Sequence, residues 1–244
     1  VSGKVDGVRR QKESYYVTRV MQNEQTDLHI IGHWTYPAGT KKTMYVAANH
    51  CDSVELFLNG QSRGVVTKTL DFVDTFGVGS RDLGETGYIY AFPDIAFVPG
   101  LLKAVARKNG KIVAEQELKT VGEAKALKLT VHTSPIGLHA DGGDVALIDV
   151  EVVDAQGNRC PTDEARVDFS VTGPAIWRGG FNSEKLNSTN NRYLDTECGV
   201  NRVAVRSTFT AGAITVIATR AGLTSAIATI DSKPVEITAG LARK

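Results

Sequence analysis

What most constrains this chain is a repeated signature: a short run of alternating apolar and polar residues, closed by a dipeptide that reverses direction. Val54-Glu55-Leu56-Phe57-Leu58 alternates and runs into Asn59-Gly60; Leu102-Lys103-Ala104-Val105-Ala106-Arg107 alternates and is followed by Asn109-Gly110. A period of two points every second side chain to one face of a strand. Asn-Gly accepts positive φ at both central positions of a type I′ turn, so each run predicts the first arm of a β-hairpin.

The pattern extends from Leu28 to the end of the chain. Leu28-His29-Ile30-Ile31 and Met44-Tyr45-Val46 have strand composition, and residues 88–92 and 95–98 predict two strands separated by Pro93. Residues 112–118 complete this first series. After a connector at 121–125, a second series runs through 127–131, 145–153, 167–171, 202–206, 214–218 and 227–230. Residues 154–158 read as a turn, and Gly173-Pro174 as a break. Short strands at regular spacing, with no helical pattern between them, predict β-sandwiches rather than an α/β fold. Only the opening differs. Val8, Tyr15, Tyr16, Val20 and Met21 fit one face of a short amphipathic helix, followed by a polar linker at 23–27. The expected architecture is all-β: a short N-terminal helix and linker over 1–27, an immunoglobulin-like sandwich over 28–120, and a second over 121–244. Residues 179–201, rich in Asn, Ser and Gly, predict the longest irregular stretch of the second sandwich.

Charge narrows the choice of partners. Lys and Arg number 28 against 27 Asp and Glu, a net charge of +1. Phosphate recognition needs a basic face, and the densest basic cluster, Arg9, Arg10 and Lys12, is short and stands beside Glu13; no nucleic-acid partner is expected. No stretch nears the roughly 20 apolar residues that cross a bilayer, so no membrane span is expected. The chain starts at Val1 without a Met or a signal-peptide pattern, as a piece of a longer protein would. Cys51, Cys160 and Cys198 are too few and too scattered for a disulfide scaffold. They read as structural thiols, with a Cys160–Cys198 bridge left open.

No catalytic residue is expected. There is no Gly-x-Ser-x-Gly, and Asp and Glu fall mainly at turns and on the polar positions of strands. His29, His33, His50, His132 and His139 show no HxxxH or HxH spacing, so no metal site is predicted, and no cofactor is implied. Asp141-Gly142-Gly143-Asp144 lacks the ligand ladder of a calcium loop and reads as a turn.

Two aromatic segments stand out. In Gly32-His33-Trp34-Thr35-Tyr36-Pro37, the rings either fill a core corner or form a platform on which the apolar face of a sugar stacks. His33, Trp34 and Tyr36 are the primary candidates for sugar contact. In Trp177-Arg178-Gly179-Gly180-Phe181-Asn182, the same two readings apply, and Trp177, Phe181 and Asn182 are the secondary candidates.

Several of these stretches resemble glycoside hydrolase family 2 enzymes of the β-galactosidase type. Arg9-Arg10-Gln11-Lys12-Glu13-Ser14-Tyr15-Tyr16 is similar to the last helix of their catalytic (β/α)8 barrel, and His33-Trp34 with Pro37 to the segment that follows. Cys51-Asp52-Ser53-Val54-Glu55-Leu56-Phe57-Leu58-Asn59-Gly60 carries the most specific likeness. Residues 100–106, 140–144, 150–158, 187–190 and 197–202 resemble further parts of the same enzymes. The resemblance implies a non-catalytic C-terminal region whose parent is a retaining, exo-acting glycosidase of galactosides or galactans, working in the periplasm or outside the cell. Its partners would be the parent's own catalytic barrel and the carbohydrate substrate. The two catalytic glutamates belong to barrel strands and map to no position of this chain. An alternative is a stand-alone carbohydrate-binding or adhesive pair of sandwiches. The resemblance also implies that the Trp34 segment reaches a subsite at the barrel mouth.

Overall fold

In the computed structural model, alternation in the sequence becomes an inside and an outside. The model describes residues 3–7, 9–67, 69, 87–182, 188–238 and 240–243. The chain divides into two units, Val1–Thr120 and Val121–Lys244.

The first unit opens with helix α1 (Glu13–Gln22) and continues through strands β1 (Leu28–Ile31), β2 (Lys41–Ala48), β3 (Ser53–Leu58), β4 (Gln61–Val66), β5 (Ile89–Ala96), β6 (Leu101–Lys108) and β7 (Lys111–Lys119). Two antiparallel sheets form, ordered β1-β2-β5 and β4-β3-β6-β7. Ile30, Met44, Val46 and Phe92 from one sheet and Val54, Leu56, Leu58, Leu102 and Ala104 from the other share a single buried cluster. Each large apolar side chain taken from water into such a core contributes about 1.5 to 3 kcal/mol. Both predicted hairpins are present: Asn59 and Gly60 have φ of 52° and 80°, and Asn109 and Gly110 have 49° and 74°. These are the left-handed values that a type I′ turn requires.

One predicted break is absent. Pro93 lies inside β5 rather than between two strands, so residues 88–92 and 95–98 do not form separate strands. Two features let the strand pass through proline. β5 is an edge strand, where a missing N–H need not break a ladder. The register also steps from Lys42↔Ile95 to Met44↔Phe92, leaving Pro93 and Asp94 opposite Thr43 in a bulge, with Asp94 at φ 55°.

The helix and linker are held to this sandwich by polar groups. The Asn49 side-chain amide donates to the carbonyls of Val20, Asn23 and Gln25 at 2.8, 2.8 and 3.2 Å, and its oxygen accepts the Asp27 N–H at 2.6 Å. Arg19 grips Asp27 through two hydrogen bonds of 2.7 and 3.0 Å. Glu13, in the first turn of α1, meets His29 Nε2 at 2.7 Å and accepts the Gly32 N–H. Val20 supplies the buried apolar contact and Met21 is exposed. Val8, expected on the same helical face, lies outside the described residues.

The second unit contains β8 (Ala126–His132), β9 (Leu138–His139), β10 (Val145–Val153), β11 (Arg166–Thr172), β12 (Ala175–Gly180), β13 (Tyr193–Asp195), β14 (Val200–Ser207), β15 (Gly212–Thr219), β16 (Ala226–Lys233), β17 (Glu236–Thr238) and β18 (Leu241–Arg243). Sheets β12-β14-β10-β8 and β13-β11-β15-β16-β9 face each other, and β17 pairs with β18. Their common core holds Ile148, Val150, Val203 and Val205 from one sheet and Val167, Phe169, Ile214 and Val216 from the other. Both units are immunoglobulin-like β-sandwiches, as the strand pattern predicts.

Asp154 closes the turn after β10. Burial opposes its ionisation, but the N–H groups of Gly122, Gln156 and Asn158 and the Asn158 side chain all donate to it, holding its carboxyl down at about 2. The stretch 179–201 is more ordered than its composition predicts. It contains β13 and the bridges Gly179↔Thr189 and Glu197↔Val200; residues 183–187, including Asn187, lie outside the described part. The cysteines are free thiols, Cys160 buried and Cys198 exposed. Burial pushes the Cys160 thiol up, and nearby Asp154 and Asp163 add to the effect.

Candidate functional site

The aromatic corner of the first unit forms where β1 ends and the chain turns into β2. Gly32, at φ 97°, starts the turn. Trp34 is 1% exposed and belongs to the buried cluster. Its Nε1 donates to the Val98 carbonyl at 3.1 Å, and its ring packs edge-on against Phe97 with centroids 5.3 Å apart. A ring so enclosed presents no face to a ligand within this unit. Of the two readings open in the sequence, the core corner describes Trp34 here.

Its neighbours are arranged differently. His33 and Tyr36 are half-buried and stack on each other at 4.4 Å with planes 28° apart. Tyr36 meets Trp34 and Phe97 edge-on. The Thr35 N–H donates to His33 Nδ1 at 3.2 Å. Lys42, on β2 and also half-buried, donates from Nζ to the Tyr36 hydroxyl at 2.8 Å and lies 4.5 Å from its ring centroid. Lys42 is the residue that sequence reasoning missed. It sits six positions from Tyr36 in a strand where a lysine is an ordinary outward residue, and only the turn at 37–40 brings the two together.

The second segment resolves otherwise. Trp177 is half-buried against the core, with its ring 5.4 Å from Phe169, and its Nε1 donates to the Asn191 carbonyl at 2.8 Å. The register shifts between Trp177 and Gly179, so Arg178 is the extra residue of a bulge. The two glycines after it are required by close approach. A Cβ on Gly179 would lie 2.7 Å from Asn190 N, and one on Gly180 would lie 2.4 Å from the Arg202 carbonyl. Phe181 is exposed. Asn182, expected to face a sugar, is buried instead. Its Nδ2 donates to the Asp195 carbonyl at 2.9 Å and to Glu197 at 3.1 Å, and its Oδ1 accepts the Asp195 N–H at 3.0 Å. That accounts for both donors and an acceptor of the amide. Asn182 therefore ties the segment to β13 and has no hydrogen left to donate to a ligand.

The turn at 141–144 is held by Asp141, whose Oδ1 accepts the N–H groups of Gly143 and Asp144 at 2.8 and 2.7 Å. Among the described residues, no group of three or more His, Cys, Asp or Glu is placed to hold a metal ion. Among the same residues, no helix is long and apolar enough to cross a membrane.

Two immunoglobulin-like sandwiches define the fold class of the chain, a class that serves many unrelated functions. Residues 127–229, most of the second unit, match the model of the glycoside hydrolase family 2 C-terminal domain 5, and the chain belongs to the C-terminal region of that family. Residues 39–114 of the first unit match a domain of unknown function, DUF4982. The chain is 47% identical over 240 residues to a β-glucuronidase of Formosa agariphila, covering 98% of this chain and 23% of that protein. It is 32% identical over 235 residues to the β-galactosidase BoGH2A of Bacteroides ovatus, covering 95% of this chain and 25% of the relative. A solved β-glucuronidase from glycoside hydrolase family 2 superposes with a TM-score of 0.89 at 46% identity, over 98% of this chain and 23% of the other. The chain thus spans about a quarter of the length of these relatives. It is an accessory C-terminal region of family 2 glycosidases.

Proposed function

We propose that this chain is the accessory part of a larger glycosidase that hydrolyses β-linked O-glycosides, with the parent's catalytic barrel as its partner. The observation that carries this reading is the 47% identity sustained over 98% of the chain, against a relative four times its length. In this role α1 is the last helix of the barrel, and the polar grip of Asn49, Arg19 and Glu13 couples it rigidly to the first sandwich. His33 and Tyr36 then stand at the edge of the first unit where substrate shape would be read. One relative is named a β-glucuronidase and another a β-galactosidase. The greater identity to the former makes a β-glucuronide the first substrate to test, and a β-galactoside the second.

The test is to express the longer gene product that contains these residues and assay it with nitrophenyl β-D-glucuronide and β-D-galactoside. Turnover of either, together with none by the 244-residue chain alone, supports the reading. A longer product that cleaves neither, or a chain that turns over sugar unaided, would overturn it.

A further inference from the structure

The His33–Tyr36 corner has a charge that the reading above does not use. Lysine carries three donors, and the described structure commits one of them, to the Tyr36 hydroxyl. Among the described residues, no carboxylate lies within ion-pair distance of this ammonium. The Tyr36 hydroxyl accepts from Lys42 and so keeps its own proton available to donate. Two ammonium hydrogens and one phenolic hydrogen on this half-buried pair are therefore uncommitted among the described residues.

The aromatic surroundings make this more than a solvated lysine. Tyr36 is held by its stack on His33 and by edge contacts to Trp34 and Phe97, and Trp34 is itself locked into the core. A ring fixed in this way positions its hydroxyl, and the hydroxyl positions the ammonium, so little side-chain entropy remains to be lost on binding. Partial burial also lowers the local dielectric, which strengthens attraction to an anion. Because His33 covers one face of Tyr36, the polar edge rather than the ring face is the binding feature. Charge-assisted hydrogen bonds of this kind suit a carboxylate, whose two oxygens can accept from both groups.

We propose that Lys42 and the Tyr36 hydroxyl, braced by His33, form a subsite for the carboxylate of a uronic-acid unit. The choice of a uronic acid as the carrier rests on the glycosidase reading; the preference for an anion rests on the geometry of Lys42 and Tyr36.

The test uses the 244-residue chain. Its backbone amide resonances over 32–42 are followed by NMR during titration with methyl β-D-glucuronide and, separately, with methyl β-D-glucoside, which lacks only the charge. The expected result is saturable millimolar binding of the glucuronide, at least tenfold weaker binding of the glucoside, and at least a tenfold loss in Lys42→Gln with an unchanged melting temperature. Lys42→Arg should retain most of the binding, and Tyr36→Phe should weaken it several-fold. Equal binding of the two sugars, full binding by Lys42→Gln, or no shifts at all would each overturn the subsite. Binding of a sulfated monosaccharide as tight as that of the glucuronide would overturn the assignment to a carboxylate. Failure here is distinct from failure of the proposed function, because the latter is read by hydrolysis in the longer protein and not by binding to this chain.

Discussion

The two aromatic segments are alike in sequence and differ in how the structure commits their polar atoms. His33-Trp34-Thr35-Tyr36 and Trp177-Arg178-Gly179-Gly180-Phe181-Asn182 each place a Trp beside a turn, and each predicts either a core plug or a sugar platform. In the second unit the polar atoms are turned inward: Trp177 Nε1 binds the Asn191 carbonyl, and Asn182 is committed to Asp195 and Glu197. In the first unit Trp34 and His33 bind backbone in this way, whereas the half-buried Tyr36 and Lys42 bond to each other and, among the described residues, retain further donors. An aromatic segment that binds its own backbone is a structural clasp, whereas one that retains hydrogen-bonding capacity beside fixed rings can receive a ligand.

The sharpest way to break this comparison is Trp34→Ala. If the ring is core, truncation should cost about 3 to 5 kcal/mol, measured by denaturant unfolding of the chain. A cost below about 1 kcal/mol would put the ring back among surface platforms. Asn182→Ala comes next. It removes the acceptor of the Asp195 N–H and one of the two donors to the Asp195 carbonyl, which Asn201 still serves, so a loss of about 1 to 2 kcal/mol is expected; a neutral effect would mean that the second segment is not a clasp.

Acid sharpens the contrast further. The Asp154 carboxyl is held at about 2, below the unfolded value of roughly 3.9. As pH falls below about 4, the unfolded chain takes up a proton that the folded chain refuses. Stability contributed by Asp154 is therefore fully present above about pH 4 and is lost as pH falls towards about 2, on the order of 2 kcal/mol in all. Unfolding midpoints between pH 5 and pH 2 should show this slope, and Asp154→Asn should flatten it. The smallest effect is expected at Phe181→Ala. The ring is 47% exposed, and its loss should change stability by less than about 0.5 kcal/mol.

Much of the fold is legible because it follows from local rules. Val54, Leu56 and Leu58 alternate into the core as their spacing predicts, and Asn59-Gly60 turns the chain because few other dipeptides accept its backbone angles. Pro93 misleads for a physical reason: a proline is excluded from a central strand but tolerated at an edge bulge, and edge or centre is a property of the assembled sheet. β9 is invisible because a two-residue parallel pairing with β16 leaves no period to read. The anchoring of residues 23–27 is likewise hidden, since Asn49 reaches them from 22 to 26 residues away.

Of the candidate site, the sequence by itself determined the residue types and their neighbourhood: rings at 33, 34 and 36 next to a proline. It could not divide them between core and surface, because apolar rings serve both. It also gave no reason to add Lys42. Only the tertiary structure decided these points. The turn into β2 carries the Trp34 ring into the space between the sheets, where burial favours it. The same turn leaves Tyr36 and Lys42 half-buried and bonded to each other. Alternation and turn chemistry are encoded within a few residues, but which donors remain uncommitted depends on what the rest of the fold brings within 3 Å or so of them.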